Sequence, residues 1–214
     1  MDQVATRELD QRKTSNIYKR GQVIFYEGNQ SFGLYCISSG RVKLYKMSVD
    51  GKQQIVRIAS AGDVLGYRAL LANEPYHATA EAIEDSEICC LDRDSFFPVL
   101  KKEPSLAMNL IQKLAQELGV AENLMANMAQ KSVRERMAEL LLTLKEAYGE
   151  KEGDHTRIVL KLTREEFGNM IGVTQETSIR LLSEFRQEKL IEVNGREIKI
   201  LDVDRLVAVA NLDF

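Results

Sequence analysis

The feature that most constrains this chain is the order of short elements between residues 162 and 201. Thr163 is followed three residues later by Glu166, which is the spacing of a capping box. A helix is therefore predicted to begin at about Arg164. Gly172 can adopt the left-handed conformation of a tight turn, so this helix is predicted to be short.

A second helix and then a hairpin are predicted after this turn. Thr174 can cap a helix that runs to about Lys189, and Asn194-Gly195 is a strong hairpin signal. Gly168 would allow the two helices to approach closely. A helix-turn-helix followed by a hairpin is the order of a winged helix, which is more specific than any single element. The residues expected to pack the helices together are Phe167, Met170, Ile171, Leu181, Leu182 and Phe185.

The N-terminal half has a different pattern. From about residue 19 to residue 91, short runs of alternating apolar and polar residues are separated by glycines. Turn signals at this spacing favour an antiparallel sandwich or barrel. Asp50-Gly51 is a hairpin signal, because a type I′ turn needs positive φ at both central residues. We predict an antiparallel β-roll over residues 1–104, within an α+β fold.

A long helix is predicted over residues 105–131. Its apolar residues are spaced alternately by three and four, which is a heptad seam about two and a half heptads long. The alternative is that this stripe packs on its own domain. A second stripe containing Leu106, Leu110 and Leu124 could serve that purpose, which leaves the seam for a parallel two-helix dimer. The predicted interface residues are Ile111, Leu114, Leu118, Ala121, Met125 and Met128.

Residues 132–214 are assigned to the winged helix-turn-helix domain. A helix is predicted from residue 132 to about residue 148, followed by a polar break over residues 149–156 and a short strand over residues 157–162. The apolar residues that define the helix are Met137, Leu140, Leu141 and Leu144.

The second helix of the helix-turn-helix has a polar face. Gln175, Glu176, Ile179 and Arg180 share this face, because residues three and four apart are neighbours on a helix. Arg can pair with guanine O6 and N7, Glu can accept from cytosine N4, and Gln can pair with adenine. Glu176 and Arg180 can also brace each other, which would fix the orientation of the guanidinium. The alternative to base contact is that the two residues form only an ordinary exposed salt bridge on the helix. Within a winged helix, we interpret Gln175, Glu176 and Arg180 as DNA base contacts.

Charge limits this interpretation. The chain has 29 Lys and Arg against 32 Asp and Glu, a net charge of −3, so composition alone does not indicate a nucleic-acid binder. Residues 157–199 contain eight basic and seven acidic side chains. Useful occupancy of DNA should therefore require a dimer and specific base contacts. Thr163, Thr174 and Arg196 are the expected contacts to the DNA backbone.

Other classes of protein find less support. The longest apolar run has five residues, and the N-terminus lacks the apolar segment of a secretory signal. A soluble, cytoplasmic protein without membrane contact is expected. The chain has two histidines and no HExxH, P-loop, GxSxG or zinc-spaced Cys/His cluster, so neither an enzyme nor a metal site is predicted.

The order of parts and the residues together resemble the Crp/Fnr family of bacterial transcription regulators. The resemblance covers nearly the whole chain. It implies a homodimer joined along the long helix, a two-fold-symmetric DNA site, an effector in the β-roll and contact with RNA polymerase. The family's Glu-x-x-x-Arg pair matches Glu176 and Arg180, which implies TGA-like half-sites. The segments that carry the resemblance are LYCISSGRVKLYKMSVDGKQQIVRIASAGDVLG, the heptad helix and LTREEFGNMIGVTQETSIRLL.

The sensor half departs from the family's cyclic nucleotide pattern. Where that pattern has Gly-Glu holding the ribose, this chain has Gly66-Tyr67, and where it has Arg-Ser on the phosphate, this chain has His77-Ala78. A neutral His supplies at most one donor to a phosphate, and Arg68 could substitute only if it points inward. These five residues are the candidate effector pocket, and cyclic AMP is not expected to bind there.

The cysteines likewise give no support for a cofactor. The oxygen-sensing branch of the family holds an iron-sulfur cluster near the N-terminus, but no cysteine precedes Cys36, and four thiolates are normally required. Cys36, Cys89 and Cys90 are expected to be reduced thiols, with a Cys89–Cys90 redox switch as the alternative. We therefore predict a DNA-binding regulator without a cofactor and with an unidentified effector or none. The alternative function is a degenerate cyclic-nucleotide-type module that acts through protein contacts.

Overall fold

The computed structural model describes residues 14–212, and the chain divides after Val120 into two units. This division lies within the long helix, whereas the sequence suggested separate parts over residues 1–104, 105–131 and 132–214. That three-part division stays a prediction. The expectation of no secretory signal concerns residues 1–13, which lie outside the described residues.

The first unit contains two four-stranded antiparallel sheets, with strand orders β1-β8-β3-β6 and β2-β7-β4-β5. Side chains from both sheets, among them Phe25, Ile37, Val42 and Ile88, pack into one buried core. This confirms the predicted antiparallel β-roll. The strands are β1 (Thr14–Tyr18), β2 (Val23–Phe25), β3 (Gly33–Ser39), β4 (Arg41–Met47), β5 (Gln53–Ser60), β6 (Val64–Leu65), β7 (Thr79–Ala82) and β8 (Ser86–Asp92).

The β4–β5 hairpin forms where the sequence predicts it, but its turn is not type I′. Gly51 has a φ of +79°, while Asp50 does not have positive φ. The Gly51 N–H donates to the Ser48 carbonyl at 3.0 Å, and the Ser48 N–H donates to the Lys52 carbonyl at 2.9 Å. The loop is therefore longer than two residues, and only its last turn position requires glycine.

Three helices complete this part of the chain: α1 (Tyr67–Ala72), α2 (Arg93–Lys102) and α3 (Pro104–Gln130). Asp92 caps α2 by accepting from the Ser95 N–H at 2.8 Å. Pro98 lies inside α2. The long helix α3 is confirmed. A second buried cluster joins these helices to β3 and β8, and its residues are Leu34, Tyr67, Leu70, Leu91, Phe96 and Leu110.

The second unit contains the predicted winged helix-turn-helix, with a sheet in the order β11-β12-β10-β9. The predicted polar break over residues 149–156 is in fact a hairpin of two strands. All four residues of its first strand are exposed, so the strand has no apolar alternation to reveal it. The elements are α4 (Val133–Tyr148), β9 (Gly149–Glu152), β10 (His155–Ile158), α5 (Arg164–Ile171), α6 (Gln175–Gln187), β11 (Ile191–Asn194), β12 (Glu197–Ile200) and α7 (Val203–Ala210).

Candidate nucleic-acid interface

The turn between α5 and α6 depends on two glycines. Gly172 ends α5 in the left-handed region, at φ 73° and ψ 39°. The Val173 N–H then donates to the Gly168 carbonyl at 3.0 Å. A Cβ on Gly168 would lie 2.8 Å from the Val173 carbonyl oxygen, which is backbone and cannot easily move aside. Both glycines therefore let α6 begin immediately after α5, as the sequence predicts.

The predicted caps of both helices are confirmed. Thr163 and Glu166 form a complete capping box: the Glu166 N–H donates to the Thr163 hydroxyl at 3.1 Å, and the Thr163 N–H donates to the Glu166 carboxylate at 2.7 Å. At α6, the Thr174 hydroxyl accepts from the Thr177 N–H at 3.3 Å. Both threonine hydroxyls lie beside a helix N-terminus, which is a favourable place for a phosphate oxygen, and the Thr174 hydroxyl also donates to the Glu176 carboxylate. Their contacts with DNA remain predictions.

Helix α6 presents a polar face and buries an apolar one. Gln175, Glu176 and Arg180 are all exposed, and Ile179 on the same face is 44% exposed. The three large side chains that fix the helix to its domain are almost fully buried: Leu181, Leu182 and Phe185. Positions assigned to base contact are thus not needed for the core, although their contact with bases remains a prediction.

The expected brace between Glu176 and Arg180 is wrong. Arg180 Nη1 instead donates to Glu184 Oε1 at 2.6 Å, one turn towards the C-terminus. Hydrogen bonds from the Glu176 N–H and from the Thr174 hydroxyl lower the pKa of the Glu176 carboxyl group. The Glu176 carboxylate is therefore bound at the N-terminus of α6, and Arg180 pairs with Glu184 instead.

The wing turn is shifted by one residue from the sequence prediction. Asn194 pairs with Glu197, so Gly195 and Arg196 are the two central residues. Gly195 has a φ of +60° and Arg196 does not have positive φ, a combination that fits a type II′ turn. Arg196, a predicted backbone contact, is exposed at this turn.

Two arginines that support this surface were not identified from the sequence. Arg164 Nη2 donates to the Gly195 carbonyl at 2.7 Å and so ties the start of α5 to the wing. Burial lowers the pKa of the Arg164 guanidinium. The partners of Arg164 and of the second arginine, Arg134, are distant from them in the sequence, so no local pattern could have revealed the role of either residue.

The second of these residues, Arg134, ties α4 to α6. Its Nη2 donates to both carboxylate oxygens of Glu188, at 2.8 and 2.7 Å. Its guanidinium also lies 4.8 Å from the centre of the Phe185 ring. Nη1 of Arg134 donates to Glu184 at 3.4 Å. Glu184 therefore joins Arg134 to Arg180 of the polar face.

The heptad seam on α3 is largely exposed within the chain. Ile111, Leu118 and Met125 are 58%, 60% and 65% exposed, Ala121 is also exposed, and Leu114 and Met128 are half-buried. Of the second stripe, Leu110 is buried and Leu106 is half-buried, as expected, but Leu124 is exposed. A stripe of large apolar side chains in water is typical of an interaction surface. The dimer assignment itself stays a prediction.

The candidate effector residues occupy different environments. Tyr67 is buried in the core under α3, while Arg68 is exposed. His77 is exposed and its Nε2 lies 2.7 Å from Glu74 Oε2. Gly66 begins α1 with a φ of +78°, and Ala78 is half-buried. Their role as a pocket stays a prediction.

Charged side chains near Tyr67 join the β-roll to α3. Arg57 donates to Glu117 at 2.6 Å and to Asp63 at 2.9 Å, and Lys113 donates to Asp63 at 3.1 Å. Burial and the nearby Glu117 carboxylate raise the pKa of the Tyr67 hydroxyl. This network was not foreseen, because its members are up to 60 residues apart.

A β-roll, a long helix and a winged helix-turn-helix with an exposed polar face define a DNA-binding regulator. Residues 16–103 match the cyclic nucleotide-binding domain, and residues 135–209 match the Crp-like helix-turn-helix domain. The chain belongs to the Crp/Fnr family of transcription regulators. In the described range, residues 14–212, no helix is both long and apolar enough to span a bilayer.

Individual relatives agree with this assignment. The chain is 29% identical over 189 residues to the CRP-like cAMP-activated global transcriptional regulator of Mycobacterium tuberculosis, covering 88% of this chain and 84% of that protein. It is 29% identical over 209 residues to the fumarate and nitrate reduction regulatory protein of Yersinia pestis, covering 95% and 82%. The structure of FixK2 from Bradyrhizobium japonicum matches with a TM-score of 0.83 and 27% identity, over 94% of this chain and 99% of that one.

Proposed function

We propose that this chain is a homodimeric, sequence-specific regulator that binds a two-fold-symmetric DNA site with TGA-like half-sites. The observation that carries the proposal is the exposed polar face at the start of α6, held on a helix whose opposite face is locked in the domain core. A side chain on a rigid helix that lies in the major groove can read base edges with defined geometry.

The chemistry of this face suits a G·C pair. With Nη1 of Arg180 held by Glu184, the Nη2 and Nε edge of the guanidinium remains available to guanine O6 and N7. Glu176 is exposed and its pKa lies below the ordinary carboxyl value, so it is ionised near neutral pH, as any exposed glutamate would be, and it can accept from cytosine N4. Gln175 at the first position of α6 can pair with adenine.

Two copies are needed because a single domain is weakly charged. Eight basic against seven acidic side chains in residues 157–199 give little general attraction to phosphate. The exposed seam of α3 is the surface we assign to dimerisation, since an apolar heptad stripe is stabilised by a second helix. A dimer would present two polar faces to two half-sites about one duplex turn apart.

The effector remains unidentified, and we propose that none of the family's usual cofactors is required. The name of the Mycobacterium tuberculosis relative describes it as cAMP-activated. This chain has buried Tyr67 where that ligand's ribose would need an acid, and exposed His77 where its phosphate would need a cation. As a regulator of transcription, the protein would act in the cytoplasm and contact RNA polymerase.

Selection of bound DNA from random sequence, with and without cell extract, tests this proposal. We expect a two-fold-symmetric consensus with a TGA-like half-site. Arg180→Ala should lose the G·C preference, because one bidentate contact is worth about 1–3 kcal/mol of discrimination. Lys151→Ala, which removes an equal charge from the exposed strand β9, is the matched control and should keep the preference.

Two outcomes would contradict the proposal. Unchanged base preference in Arg180→Ala would remove α6 as the reading helix. A wild-type protein that selects no sequence under either condition would favour the alternative, a ligand-binding module that acts through protein contacts.

A further inference from the structure

Two cysteines face each other across neighbouring strands of the β-roll. Cys36 in β3 and Cys89 in β8 are direct partners in the antiparallel register. Directly opposed residues in such a pair project on the same face of the sheet. Cys89 is buried, whereas Cys36 is half-buried, and neither is in a disulfide. The Sγ atom of Cys89 also lies 3.2 Å from the Ser38 hydroxyl.

The third cysteine lies on the other face. Successive residues of a strand point to opposite sides, so Cys90 projects away from Cys89. Cys90 belongs to the core between the two sheets, together with its register partner Tyr35. Burial raises the pKa of the Cys90 thiol, which makes it less reactive. This arrangement disfavours a Cys89–Cys90 bond and leaves Cys36 as the partner for Cys89.

The backbone hydrogen bonds define the spacing of the pair. The Ile37 N–H donates to the Asp63 carbonyl, and the Ile37 carbonyl accepts from the Gly62 N–H, so both backbone groups of Ile37 point away from β8. Because hydrogen-bonded and non-hydrogen-bonded pairs alternate, Cys36 and Cys89 form a hydrogen-bonded pair, with Cα atoms about 5.5 Å apart. That distance is within the range of disulfides, whose Cα atoms are usually about 4.4–6.8 Å apart.

Closing a bond there would still require adjustment. The Cβ atoms of such a pair are up to about 5.5 Å apart, whereas those of a disulfide average about 3.8 Å. A disulfide that strains its backbone is more readily reduced, which is typical of regulatory rather than structural bonds.

We propose that Cys36 and Cys89 are a redox site that forms a reversible cross-strand disulfide when a hydroperoxide is the oxidant. With hydrogen peroxide, the Cys36 sulfur attacks one peroxide oxygen, the O–O bond breaks, and Cys36 sulfenic acid and water form. The Cys89 sulfur then attacks the Cys36 sulfur, the S–S bond forms, and the hydroxyl leaves with the Cys89 proton as a second water. Two thiols lose two electrons and one peroxide gains them.

The position of the pair connects it to the long helix. Cys36 packs against the buried cluster that includes Leu110, and Leu106 and Leu114 of α3 pack against the same cluster. Drawing β3 towards β8 would therefore change the surface on which the first half of α3 rests.

The test uses the full chain, treated with hydrogen peroxide and digested with trypsin without reduction. The wild type should yield a disulfide-linked pair of peptides, residues 21–41 with residues 69–93, and dithiothreitol should separate them. Both Cys89 and Cys90 lie in the second peptide, so variants assign the bond. Cys90→Ala should keep the linked pair, while Cys89→Ala and Cys36→Ala should lose it.

Three results would overturn the proposal. A linked pair that persists in Cys89→Ala would assign the bond to Cys90. Oxygen addition to Cys36 without a linked peptide would show that Cys89 does not reach it. Wild-type thiols that survive peroxide unchanged would show that the site is inert.

Discussion

Arg180 is held by Glu184, one turn further along α6, through a hydrogen bond of 2.6 Å between Nη1 and Oε1. Glu184 in turn accepts from Arg134 of α4. Arg180, the side chain that we assign to guanine, is therefore oriented by Glu184, which is itself held by a residue of α4. Pre-organisation of this kind reduces the entropy lost when a contact forms.

We predict that Glu184→Gln lowers the ratio of specific to non-specific DNA affinity by about tenfold, which corresponds to about 1.4 kcal/mol. Arg180 would lose its charged partner, so its orientation towards guanine would weaken. Loss of a negative charge should at the same time raise affinity for any phosphate backbone. Binding to the selected site and to a scrambled duplex measures the ratio. Glu146→Gln, an equal charge change at an exposed position of α4, is the control. A ratio that stays the same in Glu184→Gln would refute the orienting role.

Ile179 is predicted to contact a thymine methyl group, since it is a large apolar side chain, 44% exposed, between the polar residues that we assign to base contact. Replacing the thymines of the selected site with deoxyuridine one at a time should lower wild-type affinity at one position. Loss of one buried methyl is worth about 0.8 kcal/mol, or about fourfold. Ile179→Ala should be insensitive at that position. Equal sensitivity of the variant and the wild type would exclude this contact.

The seam of α3 gives a prediction about assembly. Leu118→Glu and Met125→Glu should each yield monomers without measurable binding to the palindromic site, because burying an unpaired charge costs several kcal/mol. Val120 is 68% exposed and lies about 200° around the helix from Leu118. Val120→Glu should therefore remain dimeric. Sedimentation velocity measures the difference, and intact dimers of both seam variants would disprove the interface.

The charged network of Arg57, Asp63, Lys113 and Glu117 predicts that the stability of the fold depends on pH. Burial opposes ionisation of Asp63, but hydrogen bonds from Ser60 and Lys113 and the charge of Arg57 outweigh it and lower its pKa. Since the folded pKa lies below the unfolded one, the stabilisation is present above about pH 4 and is lost as the pH falls through the folded pKa. Lys113→Met should therefore lower the free energy of unfolding by about 1 kcal/mol at pH 7 and by less at pH 3.

Urea unfolding of wild type and variant at both pH values measures this difference. Lys101→Met, at an exposed position of α2, is the control and should show no such dependence. A cost for Lys113→Met that is equal at pH 7 and pH 3 would contradict the assignment.

The sequence by itself determined the features that depend on residues within one or two helical turns. The capping box of Thr163 and Glu166, the Thr174 cap and the left-handed Gly172 all form as predicted. The antiparallel β-roll and the long helix could also be predicted, because periodicity is a local property of the chain.

Tertiary structure alone decided which side chains of different helices and strands contact each other. Glu184, which holds Arg180, is itself held by Arg134 of α4, a residue 50 positions earlier in the chain. Cys36 meets Cys89 because strand register, which links residues far apart in the chain, places them opposite each other. Cross-strand and interhelical contacts depend on how whole elements pack, so the sequence predicted the candidate residues of the site but not the side chains that hold them in place.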